Sequence, residues 1–302
     1  MRLITFTSLG NRVQRAGLLL TGERVLDVAR AAQNDDERRA VSSVLEIIRG
    51  GENASTLLRK LCAQPDPAAV VLLPEIELLA PIPDPVRNVY CVGRNYLDHV
   101  KEGFQASGKA LELPEVPQYF TKATRAVNAP DGDVRLDPSV TRRFDYEVEL
   151  AVIIGRPGRD IPKARAFDHV FGYAVANDFT ARDLQRRHQQ WFKGKSLDTS
   201  FPFGPCIVDC EEIGDPSSLE LSLTVNGEER QRARVNQMIF DIPTLITSLS
   251  AGLTLEAGDV ISTGTPAGVG FAMDPPRYLQ GGDIVVSTID RIGSLRNRIV
   301  EA

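Results

Sequence analysis

Residues 143–155 read Arg143-Phe144-Asp145-Tyr146-Glu147-Val148-Glu149-Leu150-Ala151-Val152-Ile153-Ile154-Gly155. The run of branched apolar residues predicts a β-strand. Side chains two apart on a strand share a face, so Glu147 and Glu149 project together. Two like charges held so close need a protonated carboxyl or a cation between them. Oxygen ligands of this kind suit a hard divalent ion such as Mg²⁺ or Mn²⁺. The competing reading is an exposed strand end with two solvated glutamates.

A second stretch, Val170-Phe171-Gly172-Tyr173-Ala174-Val175-Ala176-Asn177-Asp178-Phe179-Thr180-Ala181-Arg182-Asp183-Leu184-Gln185, reads as a strand running into a helix. Thr180 followed three residues later by Asp183 fits a helix N-terminal cap. Asp178 then falls at the strand-to-helix junction, a common place for site residues. Glu147, Glu149 and Asp178 could occupy one side of an octahedral ion and leave positions for water or substrate. The alternative is that Asp178 simply caps the helix.

The chain has 302 residues, enough to bury a substantial core in one large domain or in a small one plus a large one. A net charge of -5 argues against a general nucleic-acid binder. Cys62, Cys91, Cys206 and Cys210 are scattered and form no paired zinc motif, so reduced thiols are expected. Polar residues from Asn11 onward interrupt the apolar start, and no apolar stretch is long enough to span a bilayer. A soluble cytoplasmic protein is the expectation.

Residues 1–80 read as a small α+β leading domain. Short strands at Leu3 to Phe6, Ala16 to Leu20 and Val25 to Val28 precede a helix whose buried stripe is Val41, Val44, Leu45 and Ile48. Gly50-Gly51 ends it, and a second helix carries Leu57, Leu58 and Leu61. Nothing catalytic stands out there. Prolines 65, 67, 74, 81, 83 and 85 mark an extended connector, which puts the boundary near residue 80. Residues 81–302 are rich in strands that do not alternate with helices, which argues for an α+β domain on mixed or rolled sheets. Asn226-Gly227 signals a tight hairpin. Asp241 and Pro243 open a helix from Ile242 to about Ser250.

Gly93-Arg94-Asn95-Tyr96-Leu97-Asp98-His99-Val100-Lys101-Glu102 follows the strand Asn88 to Val92. On a helical turn His99 and Glu102 face each other, and a carboxylate beside an imidazole raises its basicity and fixes its tautomer. A surface His–Glu pair is the plainer reading. The segment Gly103 to Pro114 is small and polar and could form a lid. Lys195, Lys122 and Arg182 could polarise a carbonyl or hold a carboxylate beside a metal site. Gly264-Thr265-Pro266-Ala267-Gly268-Val269-Gly270 could bind an anion through backbone amides, or be a plain turn. It matches neither a P-loop nor a dinucleotide fingerprint.

Together these motifs resemble the fumarylacetoacetate hydrolase family. They are Gly93-Arg94-Asn95-Tyr96 with His99 and Glu102, Asp145-Tyr146-Glu147-Val148-Glu149-Leu150, Gly172-Tyr173 leading to Asn177 through Asp183, Gly194-Lys195-Ser196, and Gly264 through Gly270. The match covers about residues 81–302.

The resemblance implies a mixed β-sandwich roll around one divalent ion, Mg²⁺ or Mn²⁺, in a homodimer. It puts the metal ligands on Glu147, Glu149 and Asp178, and a water-activating dyad on His99 and Glu102, with Lys195 close to the metal. Arg94, Tyr96, Lys122, Arg182, Gln185, Gly264 and Thr265 then fall at substrate-contacting positions. One departure is visible: many members have Lys-Pro where this chain has Lys122-Ala123. The activity implied first is hydrolysis of a C–C bond in an acylpyruvate-type 2,4-dioxo acid. Oxaloacetate decarboxylation, or isomerisation, hydration or dehydration of a 2-oxo acid, would use the same site. A catalytically idle metal-binding module is the alternative of another class.

Overall fold

The computed structural model describes every residue except Lys109. The fold is α+β, a mixed β-sandwich roll. Its largest sheet has twelve strands, and the strand Val148–Ile154 lies near the middle, hydrogen-bonded to Val170–Asn177 on one side and Val260–Ser262 on the other. Beyond Val260–Ser262 come Val89–Gly93, in parallel, and then Gln118–Lys122. Beyond Val170–Asn177 comes Phe201–Asp209, and beyond that Arg2–Ser8 with the other strands of the first 80 residues. The strands of the leading segment thus extend the same sheet.

Val148–Ile154 is buried throughout, which explains its nearly continuous apolar sequence. Leu150, Val152 and Ile154 pack with Leu221, Leu223 and Val285 of a second, five-stranded sheet. Ala151 and Ile153 face the other way, into a core that includes Ile47, Ile48 and Leu58 of the helix Val44–Ala63. That helix kinks at Gly51 (φ 53°), so the two helical segments expected from the sequence run on across a bend. The second sheet contains the hairpin Glu220–Val225 to Glu228–Arg234, turning at Asn226-Gly227 with φ of 52° and 81°. Those positive values are the reason the turn uses these two residues. Helix Ile242–Ser250 starts as expected, with the Asp241 side chain accepting from the Thr244 N–H.

One local expectation fails. Helix Arg182–Arg187 is preceded by Ala181 and has no side-chain cap. The Thr180 hydroxyl donates to the Asp178 carbonyl instead, and Asp183 accepts from Thr141 Oγ1. Thr180 is engaged by a carbonyl two residues back and Asp183 by a threonine from a distant segment, so neither serves the capping box.

No helix among the described residues is long and apolar enough to cross a membrane.

Candidate active site

Strand register assembles the acidic group. Val148 pairs with Asn177 and Glu149 with Ala176, and the Asp178 N–H donates to the Glu147 carbonyl at 2.9 Å. Glu147 therefore lies opposite Asp178 across the ladder, with Glu149 as the diagonal neighbour on the same face. One carboxylate oxygen from each of the three residues lies within 4.8 Å of the others, and all three residues are buried. The reading of Glu147 and Glu149 as solvated, and of Asp178 as a helix cap, does not survive this geometry.

Cations surround the group unevenly. Lys195 Nζ donates to Glu147 Oε2 at 2.6 Å and to Asp178 Oδ2 at 2.7 Å. Lys122 Nζ donates to Asp178 Oδ1 at 2.7 Å and to the Phe179 carbonyl at 2.9 Å. Arg182 bridges Asp145 Oδ2 at 2.8 Å and Glu147 Oε1 at 2.7 Å. Glu149 is bound by neutral donors, the Ser262 hydroxyl at 2.5 Å and the Gly264 N–H at 3.0 Å. Four buried carboxylates, Asp145, Glu147, Glu149 and Asp178, thus meet three cations, Lys122, Lys195 and Arg182.

Titration follows this imbalance. Burial pushes Glu149 up, and Asp178 and Glu147 push further, to about 8. Burial acts on Glu147 in the same direction, but Lys195 and Arg182 outweigh it and hold the group at about 2. For Lys195, burial favours the neutral amine, yet Asp178 and Glu147 prevail and its value rises. Burial lowers Lys122 against the pull of Asp178. Three clustered carboxylate oxygens with one surplus negative charge fit a hard divalent ion, which would bind the ionised Glu149.

A cavity of about 580 Å³ opens over this group, lined by His99, Glu147, Glu149, Arg182, Lys195 and Thr265 among others. His99 lies on helix Leu97–Ser107, its side chain 11 % exposed, with Nδ1 2.8 Å from Glu102 Oε1. Glu102 Oε2 accepts the Gly268 N–H at 2.8 Å, so the glycine-rich loop fixes the dyad. Thr265 Oγ1 donates to the Val148 carbonyl at 3.0 Å and accepts from Gln231 Nε2 at 2.8 Å.

Arg94 and Gln185 also line the cavity. Three expected substrate contacts lie elsewhere. Lys122 is fully buried behind Asp178, Tyr96 is buried with its hydroxyl unpartnered, and Gly264 acts on Glu149 through its backbone. None of these three lines the cavity. The expected lid, Gly103 to Pro114, begins as the second half of helix Leu97–Ser107, and its Lys109 lies outside the described residues.

Several participants were not singled out from sequence. Asp145 accepts from Arg182 and from the N–H groups of Gly270 and Phe271. Its spacing of two from Glu147 was the available signal. Ser262, Gln231 and Phe271 carry no such local mark. Trp191 packs on Gly93, where an added Cβ would lie 2.4 Å from the indole.

Residues 88–300 match the family model described as fumarylacetoacetate (FAA) hydrolase C-terminal. The chain is 44 % identical to oxaloacetate tautomerase YisK of Bacillus subtilis over 290 residues, covering 94 % of this chain and 95 % of the relative. A fumarylacetoacetate hydrolase from psychrophilic Exiguobacterium antarcticum superposes with TM-score 0.83 at 40 % identity, covering all of both chains. Maleylpyruvate hydrolase from Sphingobium sp. SYK-6, solved with manganese (II) and pyruvate, superposes with TM-score 0.78 at 28 % identity, again over both whole chains.

Proposed function

Because this chain belongs to the fumarylacetoacetate hydrolase family, we propose that it interconverts the keto and enol forms of a 2-oxo dicarboxylic acid of the oxaloacetate type. The placement of His99 carries this reading. The imidazole lines the cavity that Glu147, Glu149 and Lys195 also line, and Glu102 engages its Nδ1. With Nδ1 donating to Glu102, the lone pair resides on Nε2. The naming of the Bacillus subtilis relative as an oxaloacetate tautomerase supports the substrate class.

Keto–enol exchange moves one proton between C3 and the 2-oxo oxygen and breaks no carbon–carbon bond. His99 Nε2 takes the C3 proton and delivers it to the oxygen, and the reverse sequence restores the ketone. Glu102 holds the ring in place through its 2.8 Å contact with Nδ1. Lys195, kept charged by Asp178 and Glu147, opposes the negative charge that develops at the 2-oxo oxygen. A divalent ion held by Glu147, Glu149 and Asp178 would supply Lewis-acid stabilisation of that oxygen.

C–C hydrolysis of an acylpyruvate is the second reading. The same dyad could draw a proton from water, and the likeness to maleylpyruvate hydrolase favours it. One experiment separates the two. Loss of enol absorbance from oxaloacetate and release of pyruvate from acylpyruvates and oxaloacetate are followed with and without chelator. Chelator-sensitive enol loss that disappears in His99→Ala is expected. Pyruvate release from an acylpyruvate with no acceleration of enol loss would overturn the tautomerase reading in favour of hydrolysis.

A further inference from the structure

Helix Arg182–Arg187 and the turn after it present Arg182, Gln185, Arg186 and Gln189 to the cavity. Positions three, four and seven apart share one side of a helix, so Arg186 stands about one turn from Arg182, a rise of about 6 Å. Both guanidinium groups sit over the ring of Phe271, at 4.5 Å for Arg182 and 5.8 Å for Arg186. Their circumstances differ. Arg182 is buried and ion-paired to Asp145 and Glu147, whereas Arg186 is exposed and, among the described residues, has no carboxylate partner. An aromatic face steadies the Arg186 side chain without consuming its donors.

We propose that Arg186 is the selector for a second carboxylate, pairing with the distal carboxylate of a 2-oxo diacid whose other end lies over Glu147 and Glu149. The inference rests on the proposed 2-oxo diacid reading and adds to it the residue that distinguishes diacids from monoacids. A guanidinium binds a carboxylate through two parallel N–H···O bonds, a geometry a neutral substituent cannot reproduce. Arg187 provides the internal control. It is exposed, adjacent in sequence and equal in charge, but does not line the cavity.

The test reads binding rather than turnover. Trp191, the only tryptophan of the chain, lines the cavity, so its fluorescence reports occupancy. Malate and lactate, 2-hydroxy acids with and without a distal carboxylate, are titrated in the presence of Mg²⁺. The wild-type protein is expected to prefer malate, and Arg186→Ala to reduce that preference about five-fold with lactate affinity unchanged. Arg187→Ala is expected to keep the wild-type preference. A preference that survives Arg186→Ala, falls equally in Arg187→Ala, or is absent from the wild type overturns the inference. Wild-type oxaloacetate tautomerisation is assayed separately, so failure of that reaction is distinguishable from failure of this subsite.

Discussion

The backbone N–H of Gly268 donates to Glu102 Oε2 at 2.8 Å, tying the glycine-rich loop to the carboxylate that orients His99. Gly268 has φ 106°, and a Cβ built there would lie 1.9 Å from the Arg230 carbonyl oxygen. Only glycine meets both demands. Gly268→Ala should therefore displace the loop, release Glu102 and lower kcat about ten-fold or more, while divalent-ion affinity at Glu147, Glu149 and Asp178 stays near wild type. Steady-state kinetics beside calorimetric metal titration would check this, and an unchanged kcat would remove the loop from the dyad's support.

Glu149 gives the metal-free protein a specific pH dependence. Its value of about 8 in the fold lies above the ordinary 4.5, chiefly through burial. The fold thus binds a proton that the unfolded chain has lost, and the corresponding stability is full below pH 4.5 and disappears as pH rises through 8. At about 1.4 kcal/mol per unit the loss is roughly a few kcal/mol. With chelator present, Tm of the wild-type protein should fall between pH 5 and 8, and Glu149→Gln should flatten that slope. Metal binding at pH 7 should release close to one proton, visible as a buffer-dependent calorimetric enthalpy.

Lys195 spans Glu147 and Asp178 at 2.6 and 2.7 Å. Replacing it by Met leaves both carboxylates without this cation in a buried setting, a change that costs about 3–5 kcal/mol when a buried pair is broken. A divalent ion held by these carboxylates should restore part of the loss. Thermal denaturation of Lys195→Met should show a larger deficit in chelator than in excess Mg²⁺. Equal deficits in both would mean that Lys195 and the ion do not share these ligands.

Much of the centre was legible because its signals are local. Glu147 and Glu149 alternate about the start of one strand, His99 and Glu102 lie one helical turn apart, and Asp178 immediately follows another strand. The hairpin at Asn226-Gly227 and the helix opened by Asp241 were legible for the same reason. The strand Glu228–Arg234 was not. Its sequence Glu-Glu-Arg-Gln-Arg-Ala-Arg resembles a charged turn. Yet Gln231 is buried, accepting from the Val148 N–H and donating to Thr265 Oγ1 and the Pro266 carbonyl. Those partners lie far away in sequence, so no local pattern reveals them. Lys122 shows the converse, since a lysine motif does not say whether the amine faces substrate or, as here, the back of Asp178.

The pairing of Leu3 with Ile207 also orders events in time. Strand Arg2–Ser8 finds Arg15–Leu19 and Ile76–Leu79 within the first eighty residues, so that part of the sheet can form while the chain is still being synthesised. Its junction with Phe201–Asp209 must wait for a segment made much later, the kind of distant contact that slows folding. The leading strands can thus pair with one another before the segment that joins them to the strands bearing the acidic centre has been made.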